Sequence, residues 1–395
     1  MKRLAKLNNN ALWLSAYLWR RLKRKPPRLD RVHVVLCVAD HFEPATIPED
    51  WNVRADKYEQ ERRLELWCRE IPLVLGPWRD CEGKPFYHTY FYPAEQYEAD
   101  IVERLADHCR AGWGEIEIHL HHGVEFPDTR EHTEEQIVRF RDALANQHGC
   151  LSRWDGVGPA RYAFVHGNFA LANSKQGRGC GVDAEMQVLA DTGCYADLTL
   201  PSAPDVTQVP KVNSLYECSL PLDQRAPHRR GRDLCVGRQP RIFPLMIQGP
   251  LMLDFSRAGR KSRLPHVENS ALTWKYPATM NRFRLWQRAA ISVDGRPDWL
   301  FIKLHCHGMN PRDADAMYGA PRQTFLKELM EESRQTGRYH VHFTTAREMT
   351  NIILAACDGR EGNPGDYRDY RLKRIEPGHP LSATVEGASL AAGKR

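Results

Sequence analysis

The sequence has no apolar run long enough to cross a bilayer, no Cys-x-x-Cys pair, no strong overall excess of one charge sign and no internal repeat. Each absence removes a class of protein. The most membrane-like stretch, Ala11–Trp19 (ALWLSAYLW), has nine residues, against the ~20 that a spanning helix needs. Basic residues follow it where a secretory signal carries small residues for cleavage, so export is not expected. The eleven cysteines cannot all pair, and their scatter from Cys37 to Cys357 fits no zinc ribbon. Free thiols point to a reducing compartment, and a cytoplasmic location is the expectation. Charge is nearly balanced: 56 basic and 50 acidic residues leave +6. That is far from the bias of a nucleic-acid-binding arm, and no nucleic-acid partner is expected.

What is present is a rhythm. Strand-like runs occur at Val32–Val38, Phe86–Tyr92, Glu115–His121, Arg161–His166, Tyr195–Leu200, Ile242–Gln248, Trp299–His305 and Tyr339–Thr344. Amphipathic helical patterns separate them at Ala55–Ile71, Ala94–Ala111, Thr133–His148, Asp183–Asp191, Asn281–Ile291 and Gln323–Thr336. Such alternation predicts parallel strands with crossover helices, closing as a distorted (β/α)7 or (β/α)8 barrel. The expected division is a basic and apolar N-terminal helix over 1–29, a barrel over 30–357 and a C-terminal extension over 358–395. The extension is expected to be largely disordered, with Ser382–Arg395 as a tail. Within the barrel, 203–241 reads as a long basic insertion loop and Ser256–Arg263 as a second basic loop. The N-terminal helix is expected to pack on the domain or to touch the inner face of a membrane.

The seventeen histidines carry the chemical signal. Asp40 and His41 close one strand in VADHFEP, and His119, His121 and His122 close another in EIHLHHG. His166 ends a third in FVHGN, and His305 and His307 end a fourth in KLHCHG. The C-terminal strand ends are where a β/α barrel builds its active site. Alternation puts Glu117, His119 and His121 on one face, and Lys303, His305 and His307 on another. Asp40, His119 and His121 supply the three protein ligands of a catalytic zinc, with His41 competing, so a divalent metal, zinc by preference, is expected. Glu117 reads either as support for a ligand imidazole or as the ion-pair partner of Lys303. Lys303 reads as a substrate-binding cation or as an internal counter-charge, and Asn168 as a substrate hydrogen-bonder or a turn residue.

These motifs, in this order from about Val32 to Thr345, resemble the polysaccharide deacetylase family of carbohydrate esterases. VADHFEP resembles that family's first motif, whose Asp pair gives the catalytic base and a metal ligand. EIHLHHG resembles the second, which gives two histidine ligands, and LHCHG the last, whose histidine is the general acid. His41 stands where the family has its second Asp, and Gly123 where it has its second His. The resemblance implies removal of an N- or O-linked acetyl group from a sugar or polysaccharide precursor. Asp40 or Glu43 would be the base and His305 the acid. The metal would lie on Asp40, His41, His119 and His121, and His166, Asn168, Lys303 and His307 would bind substrate. Two alternatives remain. One is an amidohydrolase-like metal-dependent barrel hydrolase; the other is a non-catalytic carbohydrate-binding barrel of a polysaccharide assembly system.

Overall fold

The computed structural model describes residues 13–22, 31–48, 50, 53–256 and 265–375. All the strand-like runs become strands of one sheet. The first, β1 (Val32–His41), is almost wholly buried, as a parallel strand covered on both faces must be. One of its edges pairs in parallel with β12 (Trp299–Cys306) from His33 to Asp40. The other edge is divided. There β13 (Tyr339–Thr344) takes Val32–Cys37, and β2 (His88–Pro93) takes Ala39–His41. The sheet runs on in parallel through β3 (Gly114–Leu120), β5 (Val157–His166), β6 (Cys194–Asp197) and β9 (Leu245–Ile247). It ends in antiparallel pairing of β7 (Leu215–Cys218) with β9 and with β8 (Gly231–Asp233). The stretch 203–241, expected as a loop, therefore contributes two short strands, too brief and too hemmed by Pro and Arg to show a period. A separate pair, β10 (Met252–Asp254) and β11 (His266–Glu268), is antiparallel. The α/β class with a mostly parallel sheet is observed.

Alternation along β1 sorts its side chains between two layers. Val34, Leu36 and Val38 join Leu64 and Trp67 of α2 (Lys57–Leu75), Leu105 of α3 (Ala99–Arg110) and Ile137 of α4 (Arg130–Asn146). The same layer takes Met186 of α5 (Glu185–Asp191), Phe283 of α6 (Met280–Arg288), Met317 of α7 (Ala314–Met317) and Leu326 of α8 (Ala320–Thr336). Val35, Cys37 and Ala39 face the other way, into a cluster with Val165, Phe301 and Met349, Ile352 and Ile353 of α9 (Ala346–Cys357). All twelve residues of α9 are buried. Its polar residues Arg347, Glu348, Thr350 and Asn351 are buried with the apolar ones, so it presents no solvent face of the kind a surface helix shows. Thr345 and Glu348 cap its start, and Arg347 holds Glu115 of β3 with Nη2 to Oε1 at 2.7 Å and Nε to Oε2 at 3.0 Å.

The described part of the N-terminal helix, α1 (13–22), packs Trp13 and Tyr17 into the cluster around α9 and leaves Leu18, Trp19 and Leu22 exposed. No helix among the described residues is long and apolar enough to cross a membrane. The extension beyond 357 differs from expectation, because it is ordered to Ile375. There β14 (Leu372–Arg374) pairs with β4 (Ser152–Trp154), itself paired with β5. Buried Asn351 of α9 ties this segment down: its Nδ2 donates to the carbonyls of Arg368 (2.7 Å) and Leu372 (2.9 Å). Its Oδ1 accepts from the amides of Arg371 (3.0 Å) and Leu372 (2.8 Å). The anchor lies in the helix, so the segment's own composition hides it. Residues 257–263 of the second basic loop, and the tail Ser382–Arg395, lie outside the described residues.

Candidate metal centre

The same alternation decides which strand-end residues meet. In β3, Ile116, Ile118 and Leu120 face the helix layer, so Glu115, Glu117 and His119 face the side of α9. In β12, Leu300, Ile302 and Leu304 face the helices, which sends Lys303 and His305 to that side too. His41 follows Cys37 and Ala39. Three strands thus deliver histidines to one place: the His41 ring lies 4.9 Å from His119, 6.1 Å from His305 and 4.7 Å from His307. His121 stands edge-on to His119 at 4.6 Å.

Glu43, just past β1, closes the group. Its Oε1 lies 3.1 Å from His119 Nε2 and 3.7 Å from His121 Nε2, while its Oε2 accepts from Thr46 Oγ1 at 2.8 Å. The other ring nitrogens are already engaged. His119 Nδ1 is 2.8 Å from the Val165 carbonyl, which can only accept, so that nitrogen carries the proton. His121 Nδ1 donates to Glu95 at 2.7 Å. Both Nε2 atoms therefore present lone pairs to a carboxylate oxygen, and acceptors facing acceptors need positive charge between them. A shared proton serves one imidazole at a time; a divalent cation serves both and the carboxylate. Donor atoms of His41, Glu43 and His119 lie within 4.8 Å of one another, a set that could hold a metal ion. Backbone carbonyl and carboxylate behind the two rings are the usual orienting partners of ligand histidines.

Electrostatics favour neutral imidazoles at His41, His119 and His305, but not at His121. Burial, then the crowd of His307, His119 and His305, pushes the His41 pKa well below its ordinary value. Burial lowers His119 as well, although Glu43 opposes it. Burial would raise Glu43, but the hydrogen bond to His119 and the nearby imidazoles hold its carboxyl well below the usual range. His121 is raised: Glu95 and Glu43 outweigh its burial. Burial and then Lys303 push His305 far down, and its Nδ1 has no hydrogen-bond partner among the described residues.

Of the expected site residues, the structure brings together His41, Glu43, His119, His121, His305 and His307. It sends Asp40 elsewhere. Asp40 follows Val34, Leu36 and Val38 into the helix layer, where Oδ2 accepts from His88 Nδ1 at 2.8 Å and Oδ1 from the Gly308 amide at 2.6 Å. Adjacent strand residues point to opposite faces, so Asp40 and His41 do not share a metal. His166 likewise follows Tyr162 and Phe164 to the helix side, facing Glu185 at 3.6 Å. The Asn168 amide group reaches the carbonyls of His122 and Gly179, both at 3.4 Å, and so ties loop to loop. Lys303 is buried one inward position below His305, and its Nζ has no hydrogen-bond partner among the described residues. Glu117 takes the Tyr195 hydroxyl and the Ala163 amide (2.6 Å) rather than Lys303.

Sequence reasoning missed Glu95, Thr46 and Phe169, whose ring lies 6.3 Å from His41. Glu95 was findable: it is a carboxylate two residues beyond a strand whose neighbours end in histidine. The large cavity of about 1000 Å³, lined in part by Arg20, Arg21, Arg288 and Arg338, touches Val32 and Tyr339. It thus opens at the opposite ends of the strands. No protein-family model matches the chain, and no curated protein matches it.

Proposed function

We propose that the protein is a metal-dependent hydrolase that removes an acetyl group from a sugar or polysaccharide precursor. The observation that carries this reading is the convergence of two oriented imidazole lone pairs on the Glu43 carboxylate, with three further histidines around them. His119, His121 and Glu43 would hold the metal, with His41 beside them; zinc fits this donor set. When bound, the metal lowers the pKa of water and polarises the acyl oxygen. His305, neutral because it is buried, accepts the water's proton and returns it to the leaving amine or hydroxyl. His307 and Lys303 bind the substrate's polar groups. Exposed Phe126, on the loop after β3, and exposed Trp274, three residues beyond the bridge to His305, offer flat faces to a sugar ring.

This reading also places the site in a closed barrel. The segment around Ala271 supports closure, since the His305 amide donates to the Ser270 carbonyl at 3.2 Å and Leu272 donates to His305 at 2.8 Å. A Cβ on Gly249, just past β9, would lie 2.3 Å from the Lys303 carbonyl, so the chain leaving β9 runs against β12.

A second reading, an amidohydrolase-like metal hydrolase, is favoured by one observation: Asp40 faces away, leaving a centre of histidines and one glutamate. One pair of measurements tests both. Metal-loaded protein is assayed for acetate release from acetylated amino-sugar oligomers and, separately, for cleavage of cyclic amides, with His119→Ala as the control. Acetate release that needs His119 supports the first reading. Amide cleavage alone supports the second, and a full metal complement in His119→Ala overturns the centre itself.

A further inference from the structure

On the helix side of β3 and β5, behind the histidine cluster, a second set of donors converges: His122, His166, Cys180 and Glu185, all buried. One donor atom from each lies within 4.8 Å of the other three. They come from separate pieces of chain: the residues after β3, the end of β5, the glycine-rich loop 167–184 and the first residue of α5.

The ring nitrogens and the thiol all point at the Glu185 carboxylate. His122 Nδ1 donates to Asp128 Oδ2 at 2.9 Å, and its Nε2 lies 2.9 Å from Glu185 Oε1, where a cation would replace the proton that now joins them. His166 Nε2 is 3.6 Å from the same oxygen and has no hydrogen-bond partner among the described residues, although the residue is wholly buried. Cys180 Sγ lies 3.5 Å from Glu185 Oε2. The backbone is shaped to put the thiol there. Gly123, at φ +59°, meets the Cys180 carbonyl so closely that a Cβ would lie 1.8 Å from it. The Gly179 amide donates to Gly123 at 2.7 Å, and the Asp128 amide to Cys180 at 2.8 Å.

We infer that this is a second divalent-metal site, closed and tetrahedral, ligated by His122 Nε2, His166 Nε2, Cys180 Sγ and a Glu185 carboxylate oxygen. Imidazole and thiolate together select zinc, and a site whose four positions are all protein is structural rather than catalytic. Binding releases to solvent the Cys180 proton, as the metal–sulfur bond forms, and the proton that joins His122 to Glu185. His122 keeps its Nδ1 proton on Asp128. His166, once ligated through Nε2, carries its proton on Nδ1 and gives up the 3.1 Å contact from the Asn168 amide. The site pins the loop that carries Phe169 over His41 and packs Gly167 against the His121 ring, where a Cβ would lie 2.2 Å from Cδ2. It does not depend on the hydrolase reading.

The test uses the full chain loaded with cobalt(II) in place of its native metal. Only a cysteine ligand gives a thiolate-to-cobalt band in the near ultraviolet, and the His41–Glu43–His119 group has no sulfur. The band is expected in wild type, in His119→Ala and in Cys306→Ser, which removes the thiol of the other buried sulfur-containing donor group, Asp40, His88 and Cys306, and it should vanish in Cys180→Ser. Metal analysis should find about two equivalents in wild type and about one each in His119→Ala and Glu185→Gln. Should Cys180→Ser not fold, zinc X-ray absorption on His119→Ala decides, with one sulfur expected at about 2.3 Å. A cobalt form without the band, a band that survives Cys180→Ser, or zinc without a sulfur neighbour overturns the inference. None of these outcomes bears on whether His119 supports turnover.

Discussion

Asp40→Asn separates the two parts that a strand-end aspartate can play. Asp40 accepts the Gly308 amide at 2.6 Å and His88 Nδ1 at 2.8 Å, and it is fully buried. Asparagine keeps one acceptor, which the fixed Gly308 amide claims, and offers His88 an NH2 instead of a carboxylate. His88 must then accept through Nδ1 and carry its proton on Nε2, an atom without a hydrogen-bond partner among the described residues. A charge-assisted bond becomes a neutral one, at about 1 kcal/mol, and a buried donor is left unpaired, at about 1–3 kcal/mol. The sum, about 2–4 kcal/mol, corresponds to a fall of a few degrees in melting temperature for a chain of this size. Losing a general base would instead cost about 10²- to 10⁴-fold in rate. The expected result is full metal content, a lowered melting temperature and a kcat reduced by less than about tenfold. The measurements are elemental analysis, differential scanning fluorimetry and acetate release. A variant that melts like wild type yet loses its metal, or loses turnover by 10²-fold or more, would refute the assignment of Asp40 to the helix layer.

Glu95→Gln leaves the His121 ring in place but weakens the partner that orients it, so metal affinity should drop by about 10- to 100-fold in chelator competition; an unchanged affinity would remove His121 from the ligand set. Burial pushes the Glu117 carboxyl up to about 8, from an ordinary value near 4.5. The folded state thus keeps a proton that the unfolded chain releases, and stability falls by about 1.4 kcal/mol per pH unit as pH rises through that window toward 8. Glu117→Gln, which copies the protonated acid, should gain on wild type in melting temperature as pH rises; parallel curves would contradict it. Asn351→Leu leaves the Arg371 and Leu372 amides without their acceptor, at about 1–3 kcal/mol each, and limited proteolysis should then release the segment around β14 first.

The strands were legible because each is a β-branched or aromatic run between helical periods, and so was the gathering of histidines at one edge. The face of each histidine was legible only in part. β3 and β12 alternate apolar with polar residues, so His119 and His305 could be placed. In β1 and β5 both faces are buried and the run is apolar throughout. Alternation parts Asp40 from His41 and His166 from Val165, but nothing local says which member of each pair faces the histidine cluster. Only the packing of α2, α5 and α9 against the sheet settles these. Glu95 acts from a short 3-10 turn and Cys180 from a loop, and neither position is marked by the strand period.

The placement of α9 sets the topology of traffic. Its first turn grips Glu115, and His119 stands four residues further along the same strand, or about 13 Å. Glu117 lies between them on that face, holding the Tyr195 hydroxyl, and the cluster around α9 fills the space beside it. That side of the sheet is therefore packed solid below the histidines, and on the proposed hydrolase reading a substrate enters and leaves from the strand-end side alone. On the proposed reading a polymer would not be threaded through; its backbone would stay outside while one short pendant group reaches the histidines. Processive sliding would then require lifting that group out at every step, so the proposed reading implies isolated, spaced events on a long chain.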